Sequence, residues 1–134
     1  MPNTRIILYK EHDGTVPVLI WLKKLRPAKA ADKCTAVIKE LAKLGYELRR
    51  PYTDSLRDGI RELRTRLGSV NYRILYFFHD RNVVVLTHGL TKEDIVPVAD
   101  IDKAIAMKQV YQKNPAIHSY YADLTKEKQI YEED

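Results

Sequence analysis

"IRELRTRLGSVNYRILYFFHDRNVVVLTHG", Ile60 to Gly89, is the stretch whose reading decides the fold. Three runs at about Ile60–Leu67, Asn71–Phe78 and Asn82–His88 are separated by Gly68-Ser69 and by His79-Asp80-Arg81. Both separators are short enough for hairpins, so the stretch predicts an antiparallel meander of three strands. Side chains alternate along a strand. Ile60, Glu62, Arg64 and Arg66 then share one face of the first strand, and Arg61, Leu63, Thr65 and Leu67 share the other. The leucines belong to the covered side, which leaves Arg64 and Arg66 together on the opposite one, roughly 6–7 Å apart. Arg73 reaches the same face from the second strand. Folding does not require this gathering, because exposed ion pairs contribute little stability.

Outward from the meander, Arg5–Tyr9 (RIILY) predicts a first strand. Thr15 is placed to cap a helix with Pro17 in its first turn, and Val18, Trp21, Leu22 and Leu25 follow at helical spacing. Arg26-Pro27 breaks that helix. A second is expected over Ala28–Leu44, with Cys34, Val37, Ile38 and Leu41 on one stripe and Gly45 as its stop. Cys34 reads as a small core residue. YELRRPYTDSLRDG reads as a connection. After the meander, Thr91-Lys-Glu-Asp has the form of a capping box, and Pro97 opens a helix bearing Ile101, Ala104, Ile105 and Tyr111. Asn114-Pro115 ends it, and the polar remainder reads as a short helix or a disordered tail. The segregation of helices from strands predicts an α+β fold. Its small twisted antiparallel sheet carries two N-terminal helices on one face, with a C-terminal helix following. The other face is expected to meet solvent or a ligand.

The 134 residues, 45% of them hydrophobic, suit one core. No apolar run approaches the roughly 20 residues that cross a bilayer, and MPNTRIILYK lacks the pattern of a signal peptide. One cysteine excludes an internal disulfide, and no Cys/His spacing suggests zinc. The expectation is a cytoplasmic protein with no membrane, metal or cofactor. The net charge of +5 is unevenly spread. Residues 1–112 hold 20 of the 23 basic and 13 of the 18 acidic residues, and residues 113–134 are net acidic. A basic body favours a nucleic-acid, phosphate or acidic-protein partner.

Arginine is a poor base near neutral pH but binds phosphate bidentately and stabilises charge growing on a phosphorane. With a proton carrier beside it, such a patch suits attack of a ribose 2′-OH on the adjacent phosphorus. His88 has the right intrinsic pKa for that role, and the competing reading is a hydrogen-bonded histidine at a strand end. Tyr72, Tyr76 and Lys92 are further candidates for proton transfer. The tyrosines also suit stacking on a base or packing within the sheet.

"YKEHDGTVPVLIWLKKL", "LRDGIRELR", "NYRILYFF", "VVLTHGLTK" and "VADIDKAI" occur in that order between Tyr9 and Ile105. Together they resemble the landmarks of the RelE-superfamily toxins of bacterial toxin–antitoxin modules, most closely the HigB-type, phage-derived branch. The resemblance covers roughly residues 5–112; the expected toxin domain is residues 1–112, with 113–134 as a polar, acidic extension. It implies a microbial-RNase-like fold and a metal-independent endoribonuclease that cleaves mRNA on the ribosome and inhibits translation. It also implies a helix-turn-helix antitoxin as partner. Carried over by motif, Arg64, Arg73 and His88 are the expected catalytic residues. Arg57, Arg66, Lys92 and Tyr72 are the expected contacts to RNA. Glu93 and Asp94 stand where the family is commonly basic, which supports an alternative: a non-catalytic module that binds RNA or an antitoxin.

Overall fold

A computed structural model describes residues 4–91, 94–125 and 130–131. Arg5–Tyr9 forms strand β1, followed by helices α1 (Pro17–Lys24) and α2 (Ala28–Leu44). Strands β2 (Thr53–Arg57), β3 (Ile60–Leu67), β4 (Val70–Asp80) and β5 (Val83–Thr91) come next, then helix α3 (Val98–Lys113) and strand β6 (Ser119–Tyr121). The fold is α+β. Among the described residues, six strands run in the order β2-β3-β4-β5-β1-β6. All neighbours are antiparallel except β1 and β5, which pair in parallel.

β1 is apolar at every position from Ile6 to Tyr9 because both of its faces are covered. Ile6 and Leu8 join the core under α1 and α2, while Ile7 and Tyr9 join a second core under α3. The face expected to be open is therefore partly closed. Ala104, Met107 and Tyr111 of α3 pack on Ile60, Leu75, Phe77 and Val85. On the other face, the stripe Cys34, Val37, Ile38 and Leu41 lies buried against the sheet. Burial pushes the Cys34 thiol up to about 12, which removes its thiolate chemistry and confirms it as a core residue.

Four local expectations change. Val16, not Thr15, occupies the cap position of α1, and the Thr15 N–H donates to Asp13 Oδ1 at 2.9 Å. The capping box at Thr91 does not form. Thr91 ends β5 and accepts a hydrogen bond from Trp21 Nε1, while α3 starts after Pro97 without a side-chain cap. The segment beyond residue 112 forms the expected short helix, a 3-10 turn over Pro115–His118, and then strand β6, which pairs with β1 and which the sequence did not suggest. β2, inside the presumed connection, extends the meander by one strand.

Candidate nucleic-acid interface

The site begins with register. Arg64 lies directly opposite Arg73 across the β3–β4 ladder, and Arg66 opposite Asn71. Opposed residues share a face, with Cβ atoms about 5 Å apart, and like charges there repel. Glu62, two residues before Arg64 on the same face, relieves the repulsion. Its Oε1 lies 3.2 Å from Arg64 Nε and 3.5 Å from Arg73 Nε. Glu62 is 5% exposed and Arg73 6%. The chain passing from β5 to α3 lies against Arg73, whose Nη2 donates to the Asp94 carbonyl at 2.8 Å. Arg73 is thus a buried anchor.

Arg64 is more open. Its Nε also donates to the Pro51 carbonyl at 3.1 Å, and among the described residues both its contacts run through Nε, which leaves the terminal nitrogens for a ligand. Arg66 is exposed, and its Nε donates to the Gly68 carbonyl at 2.8 Å. β2 ends its pairing near Leu63, with a last bond from Arg64 N–H to the Tyr52 carbonyl at 2.7 Å. Where β2 gives out, a cleft of about 450 Å³ opens beside β3. Lys33 from α2 joins Arg64, Arg66 and Arg73 along it, and none of its described lining residues is acidic. Tyr52, 51% exposed, and Asn71 complete the polar wall. Such a lining binds anionic oxygens through charge-assisted bonds and offers one aromatic ring for stacking.

The other expected site residues lie elsewhere. Tyr72 points to the opposite face, 3% exposed, with its ring edge-on to Trp21 at 6.5 Å between centroids. Arg57 stands at the β2–β3 turn, with Nη2 on Asp102 Oδ1 of α3 and Nε 3.5 Å from Asp58 Oδ2. Lys92 lies outside the described residues. His88 is 5% exposed beneath the first turn of α3, with Nε2 3.1 Å from Asp100 Oδ1 and Nδ1 3.1 Å from Thr87 Oγ1. Desolvation lowers its pKa, and the hydrogen bond to Asp100 opposes that shift only in part.

Sequence reasoning thus brought Arg64, Arg66 and Arg73 together, and the cleft holds all three. It missed Lys33, on the exposed face of α2, and Tyr52, inside a segment read as a connection. Glu62, read only as sharing a face with Arg64, is the buried hinge between two guanidiniums. Among the described residues, no group of His, Cys, Asp and Glu is placed to hold a metal ion, and no helix is long and apolar enough to cross a membrane. A family model described as phage-derived protein Gp49-like (DUF891) matches residues 20–114. No curated protein matches the chain.

Proposed function

The chain belongs to the Gp49-like family of phage-derived proteins, and from that premise we propose that it is the toxin of a toxin–antitoxin module, a RelE-type endoribonuclease of the HigB branch acting on ribosome-bound mRNA. One observation carries the reading: Lys33, Arg64, Arg66 and Arg73 converge on a cleft whose described lining contains no carboxylate. A phosphodiester in the cleft meets the open end of Arg64, with Lys33 and Arg66 holding its neighbours. The ribose 2′-OH attacks the adjacent phosphorus and gives its proton to water, the P–O5′ bond breaks as the 5′-oxygen takes a proton from water, and a 2′,3′-cyclic phosphate and a 5′-OH form. Arg64 stabilises the charge that grows on the phosphorane. Arg73 acts one step back, fixing Glu62 and through it the orientation of Arg64. Tyr52 supplies a platform for a base. The implied partner is a helix-turn-helix antitoxin.

A second reading, a non-catalytic module for RNA or antitoxin, draws on the burial of His88 and its bond to Asp100, outside the cleft. Induced expression separates the two. The toxin reading expects growth arrest and new 5′ ends within translated mRNA by primer extension. It also expects Arg64→Ala with Arg66→Ala to relieve arrest and lower cleavage by at least about 100-fold. Arg66 makes only an exposed contact, and Glu62 keeps Arg73 as a partner when Arg64 is cut back, so the variant should remain folded. RNA that binds without new ends selects the second reading. Arrest undiminished in the folded double variant removes the cleft from either.

A further inference from the structure

A second groove, of about 820 Å³, lies on the opposite side of the β3–β4 hairpin from the arginine cleft. Trp21, Leu25 and Pro27 meet Leu67, Val70 and Tyr72 along it, so most of its floor is apolar. Trp21 is held from several sides. Its Nε1 donates to Thr91 Oγ1 at 3.1 Å, its ring meets Tyr72 edge-on, and its face lies over Gly89. A Cβ on residue 89 would stand 2.2 Å from the indole Cδ2, so only glycine admits the ring. The floor is therefore built before anything binds, which lowers the ordering cost of association.

Charge surrounds that floor with one sign. Lys24, Arg26 and Lys29 line the groove, and none of its described lining residues is acidic. Arg26 is set in place by two bonds from Nη1, to the Lys23 carbonyl at 3.0 Å and the Leu25 carbonyl at 2.8 Å. Lys24 and Lys29 are exposed. We propose that this groove docks an acidic segment of a partner protein that inserts apolar side chains beside Trp21. RNA is the poorer match, because Leu25, Leu67 and Val70 offer no side-chain hydrogen bonds to base edges. A second copy of the basic body would bring like charge to the rim. An amphipathic acidic segment satisfies floor and rim together, as in helix-in-groove recognition. The proposal does not rest on ribonuclease activity.

The chain contains one tryptophan, so Trp21 emission reports on this groove alone. A displayed library of random peptides of about 16 residues, panned on the full chain, provides the probe. Enriched peptides should carry Asp or Glu interspersed with Leu, Ile or Phe, and should shift Trp21 emission to shorter wavelength. Lys24→Glu with Lys29→Glu, two exposed positions, should weaken their binding at least about tenfold. Arg64→Ala, on the other side of the hairpin, should leave it unchanged. The proposal is overturned if no peptide enriches, if the enriched peptides lack acidic residues, or if they leave Trp21 emission unmoved. It is equally overturned if the charge reversal has no effect while the thermal midpoint is retained. Short single-stranded RNA that shifts Trp21 emission and competes with the peptides would reassign the groove to nucleic acid. Self-association of the chain that blocks peptide binding would reassign it to a second copy.

Discussion

The α3 face of the sheet has two halves built from the same strands. In one, Ile60 of β3 and Leu75 and Phe77 of β4 are sealed beneath α3. In the other, two residues away along each strand, Glu62 and Arg73 are just as inaccessible to water but carry charge. The apolar half gains stability from removing hydrocarbon from water. The charged half loses hydration and is sustained only by pairing, with Glu62 shared between Arg64 and Arg73 and the Asp94 carbonyl on Arg73. Burial is thus similar in the two halves, and its sign in free energy differs. The charged half is the one continuous with the open cleft.

Removing one member from each half tests that difference. Phe77→Ala should have the largest effect, about 4 kcal/mol of unfolding free energy in urea titration. It empties a fully buried site and removes the edge-on contact with Tyr111, 5.8 Å between centroids. Glu62→Ala should follow at about 3 kcal/mol, because it removes a buried carboxylate that two guanidiniums share. The paired variant Glu62→Ala, Arg73→Met should recover part of that loss, since it removes a buried positive charge as well. A cost for Glu62→Ala below about 1 kcal/mol, the scale of a surface pair, would erase the distinction between the halves.

How much of this arrangement the sequence disclosed depends on the range of the signal. β1, α2 and β3 match their predicted bounds because each is governed by local pattern: a β-branched run, a helical stripe with a terminal glycine, and a strict alternation. Alternation also sets Arg64 opposite Arg73, given the short hairpin. Two features were beyond local reading. The closure of the second face depends on α3 crossing back over the sheet, and α3 has a weakly amphipathic sequence, with Ile101 and Ile105 only partly buried. The orientation of His88 depends on a bulge. β5 pairs Leu86 with Tyr76 and His88 with Leu75, so Thr87 is an extra residue in the ladder. Simple alternation would set His88 beside Leu86 on the α1–α2 side. The bulge turns it toward α3 instead, and the Thr87 hydroxyl donates to the Leu75 carbonyl at 3.2 Å.

That bulge puts His88 on the seam between the two halves, and the smallest predicted effect arises there. Two forces act on its charge. Asp100 favours the imidazolium, while desolvation and the nearby Lys103 oppose it, and desolvation is the largest of them, so the folded-state pKa falls below the ordinary 6.5. The unfolded chain therefore takes up the proton first as the solution is acidified. Stability from a neutral His88 is complete above about pH 6.5 and declines as pH falls toward the folded-state pKa. Unfolding free energy measured in urea from pH 8 to pH 5 should drop more steeply for the unsubstituted chain than for His88→Gln, which has nothing to protonate there. Were the Asp100 ion pair the stronger influence, the sign would reverse, and acidification through this window would stabilise the unsubstituted chain relative to the variant. The direction of that difference therefore decides whether the seam behaves as part of the sealed apolar half or of the paired, charged one.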